Sequence, residues 1–314
     1  MYLIVFSQLF IIVAYKKNDK KDLFLHLKLK CKFMPTIAEL QKTSTQVRRD
    51  ILRMIHAVNS GHPGGSLGCA DFLTALYFEI MDHNPTDFKM NGFNEDIFFL
   101  SNGHLSALIY SVLARTGYFP VAELSTFRKL NTRLQGHPTT HEGLPGIRIA
   151  SGSLGQGLSV AIGAALSKKL NKDKHLVYTL HGDGELQEGQ IWEAMMYAAA
   201  NKVDNLIATV DYNGKQIDGP VDEVLSLGNL KAKWEAFGWD VLEANGNDMD
   251  EIVSTLKIAK LHTGKQKPVV ILMKTEMGNG VDFMMGTHKW HGSAPNDEQL
   301  SKALAQLPET LGDY

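Results

Sequence analysis

Apolar residues recur along residues 37–275 with two periods, one typical of strands and one typical of helices. Short runs of β-type apolar residues predict strands at Asp96–Leu100, His175–Leu180, Leu206–Val210, Trp239–Ala244 and Pro268–Thr275. Apolar residues at helical spacing predict helices at Ile37–Asn59, Ala70–Met81, Leu105–Arg115, Leu158–Leu170 and Met249–Leu261, and another between the second and third strands. This alternation predicts an α/β fold, a doubly wound, mostly parallel sheet with helices on both faces.

The first 33 residues differ from the rest of the chain. Met1–Tyr15 is almost wholly apolar, and a lysine-rich segment follows it. The run is shorter than the roughly 20 residues of a membrane span, and it lacks the flanking features of a signal peptide. A membrane or signal segment, an added arm and a start codon assigned too early are the alternatives. We favour the last, because Met34 begins the part that reads as a folded domain. We therefore expect an N-terminal arm at residues 1–33 and one domain at residues 34–314.

Composition excludes several classes of protein. The chain has 314 residues, of which 44% are hydrophobic, so it can bury a sizeable core. Its formal net charge is −2 and the body has no long basic run, so we expect no nucleic-acid partner. Its two cysteines, Cys31 and Cys69, cannot alone form a disulfide framework or a zinc site. This usage fits a reducing compartment, and we expect a cytoplasmic protein with no membrane partner.

The most informative stretch follows the second predicted strand and reads His-Gly-Asp-Gly-Glu-Leu-Gln-Glu-Gly, His181–Gly189. The third predicted strand leads into Asp211-Tyr212-Asn213. Glycine turns let backbone N–H groups face phosphate oxygens, and Asp and Asn oxygens suit Mg²⁺ or Ca²⁺. In an open α/β sheet both loops lie at the carboxyl ends of their strands, where ligands bind. The pattern predicts a site for a metal-bound diphosphate, in preference to an ordinary Asp-Gly turn.

Glycine and histidine recur together in other loops. These loops are Ser60–Gly65 with His62, Ser101–His104, Gln135–Pro138 with His137, Ser151–Gly157, and Gly286–Pro295 with His291. Each has an ordinary explanation when it is taken alone. A loop histidine is commonly a cap or a surface residue, and loop glycines serve close packing as readily as ligand approach. The Gly286–Pro295 segment also contains His288, but His288 and His291 without further ligands do not make a zinc site.

Taken together, these motifs resemble the transketolase family of thiamine diphosphate enzymes. Gly-Asp-Gly closing on Asn213 is similar to the thiamine diphosphate-binding signature. The wordings Gly-Asp-Gly-x-Leu-Gln-Glu-Gly, Ser-Gly-His-Pro-Gly and Leu-Ser-Asn-Gly-His resemble transketolases in particular. The chain departs from the family pattern at Ser153, where proline is common, and at Lys215, where an apolar residue is frequent.

The resemblance implies a role for each matched residue. The catalytic residues would be His62, His137 and His291, which we expect to contact the hydroxyls of the donor sugar. Thiamine diphosphate would be bound by His104, Gly152, Ser153, Leu154, Gly184, Glu188, Asn213, Ile217 and His291. The metal, Mg²⁺ with Ca²⁺ or Mn²⁺ as alternatives, would be bound by Asp183, Asn213 and the backbone carbonyl of Lys215.

The resemblance runs from about Met34 to the C-terminus and covers only the first half of a full-length transketolase. In that family the second half carries the glutamate and the aromatic pocket for the aminopyrimidine ring, together with basic residues for sugar phosphate. We therefore expect the N-terminal subunit of a split transketolase, active only with a separate C-terminal subunit in a heterotetramer of two copies each. The expected reaction transfers a two-carbon ketol unit from a ketose phosphate to an aldose phosphate, as in the pentose phosphate pathway.

Other functions remain as alternatives. They are the α chain of a 2-oxo acid dehydrogenase, a deoxyxylulose phosphate synthase-like enzyme, and a non-catalytic homologue that keeps the fold. A Rossmann dehydrogenase is disfavoured, because no Gly-x-Gly-x-x-Gly follows an early strand. The preferred sugar phosphate stays open, since the family reads it largely with its second half.

Overall fold

A parallel β-sheet forms the centre of the protein. The computed structural model describes residues 35–314, which make one compact unit, and the expected arm at residues 1–33 lies outside the described residues. The strands are β1 (Ile97–Leu100), β2 (Val177–Gly182), β3 (Leu206–Tyr212), β6 (Asp240–Asn245) and β7 (Val269–Lys274). They lie in the order β1-β2-β3-β7-β6, and every neighbouring pair is parallel. A separate antiparallel hairpin joins β4 (Lys215–Gln216) to β5 (Gly219–Pro220).

Helices connect the strands. They are α1 (Ile37–Ala57), α2 (Pro63–Gly68), α3 (Ala70–Ala75), α4 (Ser106–Arg115), α5 (Gly157–Leu170), α6 (Gly189–Ala200), α7 (Val221–Leu225), α8 (Leu230–Ala236), α9 (Met249–His262) and α10 (Asp297–Gln306). A capping box at Thr36 fixes the start of α1, and Asp248 caps α9. Within residues 35–314, no helix combines the length and the apolar character that crossing a membrane requires.

The sheet separates two hydrophobic cores. Leu180 and Ile271 pack into one core with α1, α3, α4 and α9. Phe99 and Leu272 pack into the other with α5, α6 and α8. Successive side chains of a strand point to opposite faces, so strands that are buried on both faces read as continuous apolar runs. The predicted doubly wound sheet with helices on both faces is confirmed.

One predicted loop is wrong. We expected a glycine- and proline-rich loop to reach Gly65 and a single helix at Ala70–Met81. Instead α2 begins at Pro63, and a π-helical turn, Leu76–Ile80, follows α3. Proline is favourable at the first helical position, since its missing N–H would have no partner there. A β-carbon on Gly64 would lie 2.6 Å from Cγ of Met277, so glycine permits this close packing despite its low helix propensity.

The carboxyl ends of the central strands bring the motif loops to one edge of the sheet. Gly182 at the end of β2 is in register with Asp211 on β3. The neighbouring strand β1 ends at Leu100, directly before the Ser101–His104 loop. Three of the predicted loops therefore start side by side, as expected for a ligand site in an open α/β sheet.

Candidate cofactor and substrate site

Four histidines from four separate loops meet at this edge. The ring centroid of His62 lies 4.8 Å from that of His104, 5.8 Å from that of His291 and 6.3 Å from that of His137. The rings of His104 and His137 are 4.8 Å apart. We call these four residues the histidine cluster. They are far apart along the chain, and the fold brings them within contact of one another.

The imidazoles of the cluster are held neutral. Burial lowers the pKa of His62 to about 3, and the neighbouring His104, His291, Arg128 and His137 contribute to this lowering. Burial, followed by His137, lowers the pKa of His104 to about 4. The pKa values of His137 and His291 are also lowered, mainly by burial. A neutral imidazole carries both a donor and an acceptor nitrogen, so each ring can orient a hydroxyl or move a proton.

Two cluster nitrogens have no partner in the described part of the chain. Nδ1 of His62 and Nδ1 of His291 are buried and form no hydrogen bond there. Leaving a buried polar atom unpaired costs about 1–3 kcal/mol. Such atoms are uncommon in folded proteins and often mark a functional site. They are consistent with a cluster that is arranged for a polar ligand.

An acidic region adjoins the cluster. The Asp183 carboxylate accepts hydrogen bonds from the backbone N–H groups of Gly184 (2.7 Å) and Gly214 (2.6 Å). Asn213 donates from Nδ2 to Asp211 at 2.9 Å, and its Oδ1 accepts from the backbone N–H of Lys215 at 2.8 Å. The predicted metal ligands Asp183, Asn213 and Lys215 are thus neighbours in a single bonded network.

The acidic pair at this point suits a cation. Burial and the charge of Asp211 raise the pKa of Asp183 to about 7, against the effect of its backbone hydrogen bonds. Burial also raises the pKa of Asp211. Among residues 35–314 no three His, Cys, Asp or Glu side chains are grouped so as to hold a metal by themselves. The predicted set instead combines one carboxylate, one amide and one carbonyl, which are hard oxygen ligands that suit Mg²⁺ bound together with phosphate oxygens.

Ile217 and Gly292 connect the acidic region to the histidine cluster. A β-carbon on Gly292 would lie 3.6 Å from Cδ2 of His62 and 3.8 Å from Cδ1 of Ile217. Ile217 is 61% exposed, so its apolar side chain is available for contact with a ligand or a partner. On the acidic side, a β-carbon on Gly184 would lie 3.3 Å from Cβ of Gln216. A β-carbon would fit at Gly292 with ordinary contacts, whereas at Gly184 it would press on Gln216.

The Ser151–Gly157 loop borders the same site. Gly152 has φ +125°, and a β-carbon there would lie 2.8 Å from Cδ2 of His137. Glycine is therefore required on both conformational and steric grounds. Ser153 is exposed and Leu154 is half-buried, and the exposed Glu188 lies beside Gly155. The predicted cofactor-binding residues of this loop and of the Gly-Asp-Gly stretch thus border the same region.

Glu185 is a residue that the sequence interpretation missed. Its buried carboxylate accepts from the hydroxyl of Ser101 and from the backbone N–H groups of Gly155 (2.9 Å) and Gly182 (3.1 Å). Burial opposes ionisation, but His181 and these hydrogen bonds leave the pKa of Glu185 below its usual value. The carboxylate therefore joins three of the motif loops. The sequence signal that could have identified Glu185 is an acidic residue within a glycine-rich turn.

Comparison with known proteins shows which family the chain is similar to. The family model described as "Transketolase, thiamine diphosphate binding domain" matches residues 41–309. A subunit of the apulose-4-phosphate transketolase of Phocaeicola vulgatus is 38% identical over 275 residues, which are 88% of this chain and 96% of that protein. The 6-deoxy-6-sulfo-D-fructose transketolase subunit SqwG of a Clostridium species is 41% identical, over 86% of this chain and 96% of that protein.

Longer relatives match over only part of their length. Human transketolase is 34% identical over 85% of this chain but 41% of its own. The crystal structure of transketolase from Campylobacter jejuni superposes with a TM-score of 0.81 at 37% identity, covering 87% of this chain and 43% of that one. The chain therefore spans about two fifths of these longer transketolases and almost all of the subunit-sized relatives.

Proposed function

The chain belongs to the transketolase family, as its thiamine diphosphate-binding part, and we propose that it forms a ketol-transferring enzyme with a separate C-terminal subunit. The observation that carries this proposal is the meeting of the histidine cluster with the Asp183–Asn213 network at one edge of the sheet. One region offers oxygen ligands for a metal diphosphate, and the other offers neutral imidazoles for a polyhydroxylated substrate.

The residues present fit the cofactor. Thiamine diphosphate supplies, when bound, a nucleophilic carbon that can take up a two-carbon unit. Asp183, Asn213 and the Lys215 carbonyl would hold the metal on its diphosphate. The backbone of Gly184 would approach the phosphate oxygens, and His291 would donate a hydrogen bond to them. The remaining predicted contacts would line the rest of the cofactor; these are His104, Gly152, Ser153, Leu154, Glu188 and Ile217.

The histidine cluster would act on the sugar. His62, His137 and His291 would contact the hydroxyls of the donor, and a neutral ring would take a proton from a hydroxyl or return one to the developing alkoxide. Desolvation lowers the pKa of each of these rings, including the solvent-exposed His137, so each has a lone pair available for this work at neutral pH. We propose proton transfer at the substrate oxygens as the specific contribution of this chain.

The names of the relatives and the exposed apolar side chains both support a partner subunit. Three relatives that match over 96% of their own length are named as subunits, which supports a separate partner. Several large apolar side chains are exposed; they include Ile217, Val160 on α5, and Met196 and Tyr197 on α6. Burying such side chains is favourable in association, by about 25 cal/mol per Å². We propose that they contribute to a heterotetramer of two copies of each subunit.

The substrate would be a ketose with an anionic end group. The two most informative relatives are named for apulose 4-phosphate and for 6-deoxy-6-sulfo-D-fructose, which carry a phosphate and a sulfonate respectively. Pentose phosphates are the first donors to test, with a branched sugar phosphate and a sulfonated ketose beside them. The acceptor would be an aldose phosphate.

The test is reconstitution. The full chain is co-expressed with a transketolase C-terminal subunit, and ketol transfer is measured with thiamine diphosphate and Mg²⁺ on the three donors. Each of the two chains by itself is the control, and pyruvate decarboxylation is assayed in parallel to exclude a 2-oxo acid enzyme. We expect transfer by the complex only. Turnover by this chain without its partner would refute the partner requirement, and a complex that binds cofactor without transfer would refute the activity.

A further inference from the structure

Arg128 connects two of the histidine-bearing loops. Its Nη1 donates to the hydroxyl of Ser60 at 2.6 Å, and its Nη2 donates to the carbonyl of Gly136 at 3.1 Å. Ser60 lies two residues before His62, and Gly136 lies directly before His137. A single planar guanidinium therefore bridges the two loops.

The backbone conformation of Arg128 and its neighbouring groups hold the guanidinium in place. Arg128 has φ +54°, a left-handed conformation that side-chain-bearing residues rarely adopt. A β-carbon on Gly136 would lie 3.1 Å from Cζ of Arg128, so glycine lets the guanidinium approach the backbone. The guanidinium also lies 5.4 Å from the ring centroid of Phe127. Backbone, ring and two acceptors thus fix its position.

Within the described part of the chain, no ion pair neutralises the charge of Arg128. No carboxylate within residues 35–314 forms a salt bridge with it, and its buried Nε makes no hydrogen bond there. Arg133, five residues away, instead binds both carboxylate oxygens of Glu123, at 2.9 and 2.8 Å. An unpaired, partly buried cation is costly, so its retention next to the histidine cluster calls for an explanation.

We propose that Arg128 is a positioning residue for the histidine cluster, which holds the His62 and His137 loops at a fixed separation and maintains a positive charge beside their imidazoles. This inference rests on the proposed function. The geometry assigns the bridging role to the guanidinium fork, and no carboxylate in the described residues pairs with it, so its charge acts on the neighbouring rings without a counter-ion.

The electrostatic surroundings agree with this assignment. Arg128 contributes to lowering the pKa of His62, His104 and His137. The other groups that face the cluster are its own rings, Glu185 beside His104, Asp218 and His288 beside His291, and Tyr110 beside Arg128. Glu185 and Asp218 act in the opposite direction to Arg128. Removing the cation should therefore raise the pKa of the cluster histidines.

The experiment distinguishes the effect of the two hydrogen bonds of Arg128 from the effect of its positive charge. Arg128→Met removes both, Arg128→Lys keeps the charge but not the two-acceptor fork, and Arg133→Met is the matched control in the same segment. The first readout is the pH titration of [¹⁵N]histidine side-chain signals in the full chain. The second is the pH profile of kcat/KM in the reconstituted complex.

We expect Arg128→Met to shift the titration of the His62 and His137 signals to higher pH and to reduce kcat by about tenfold or more, because misplaced contact groups lose transition-state stabilisation. Arg128→Lys should keep the wild-type titration and still lose turnover. An Arg128→Met chain that matches Arg133→Met in both titration and turnover would overturn the proposal.

The role of Arg128 can also be tested if Arg128→Met does not fold or if the complex shows no ketol transfer. If Arg128→Met does not fold, Ser60→Ala removes one acceptor of the bridge. A His62 signal and a turnover that both stay wild-type in Ser60→Ala would then overturn the bridging role. If no partner restores ketol transfer, the proposed function fails, but the histidine titration of the full chain still decides the role of Arg128.

Discussion

Acid should unfold this protein partly through His62. An unfolded histidine titrates near pH 6.5, whereas burial and the neighbouring charges lower the pKa of folded His62 to about 3. The unfolded state therefore binds the proton first as the pH falls. The folded state keeps its full stability above about pH 6.5 and loses this contribution as the pH moves toward the folded pKa.

The size of the loss follows from the two pKa values. Between about pH 8 and pH 5, a single fully buried group with these values would lower the free energy of unfolding by about 2 kcal/mol. His62 is only partly buried, so solvent screening reduces the effect, and we expect about 1 kcal/mol. His104 should add a loss in the same direction, since its pKa is lowered to about 4.

The assay compares variants at two pH values. Urea unfolding of the full chain is measured for wild type, His62→Gln and His141→Gln at about pH 8 and pH 5. His141 is exposed and serves as the matched control. We expect the stability of His62→Gln relative to wild type to rise by about 1 kcal/mol on acidification, because glutamine binds no proton. A difference that is equal at both pH values would refute the neutral, buried state of His62.

Three further predictions concern the cofactor side of the site. Asp183→Asn should weaken Mg²⁺-dependent thiamine diphosphate binding, measured by calorimetry, by about 100-fold, since a buried charged ligand is lost; unchanged binding would remove Asp183 from the metal site. Gly152→Ala should lower turnover by about tenfold by displacing His137, whereas Gly163→Ala, whose β-carbon would meet nothing within 4 Å, should not. Lys215→Met should keep the metal affinity within about threefold, because the predicted ligand is a backbone carbonyl; a large loss would show that the side chain is needed.

Much of the fold is readable from local pattern, but strand ends depend on partners. We predicted β2 at His175–Leu180, and the structure has Val177–Gly182. The backbone N–H of His175 bonds to the Asp173 side chain and that of Leu176 to Asp96, so neither enters the ladder with β3. At its other end β2 continues into the motif because Gly182 pairs with Asp211. The spacing of apolar residues along the chain cannot reveal either of these contacts.

The site also has residues that the sequence reveals and residues that only the tertiary structure reveals. The loops of the histidine cluster were recognisable because their glycine and histidine motifs occur in the order that is found in the transketolase family. Arg128 and Glu185 were not, because what distinguishes them is the set of groups they touch. Arg128 bonds across 68 residues to Ser60, and Glu185 bonds across 84 residues to Ser101. Residues that join loops distant in sequence require the tertiary structure.

The energetics of this edge point toward a chain that is stabilised by what it binds. Nδ1 of His62 and Nδ1 of His291 are buried without a described partner, and Ile217 is 61% exposed. Each unpaired buried nitrogen lowers the stability of the free chain by about 1–3 kcal/mol, and the exposed isoleucine contributes none of the stabilisation that its burial would give. A polar substrate would satisfy the nitrogens, and a cofactor or the partner would cover the isoleucine. Since binding to the folded state alone raises the free energy of unfolding, the features that cost stability are the ones that ligands should offset.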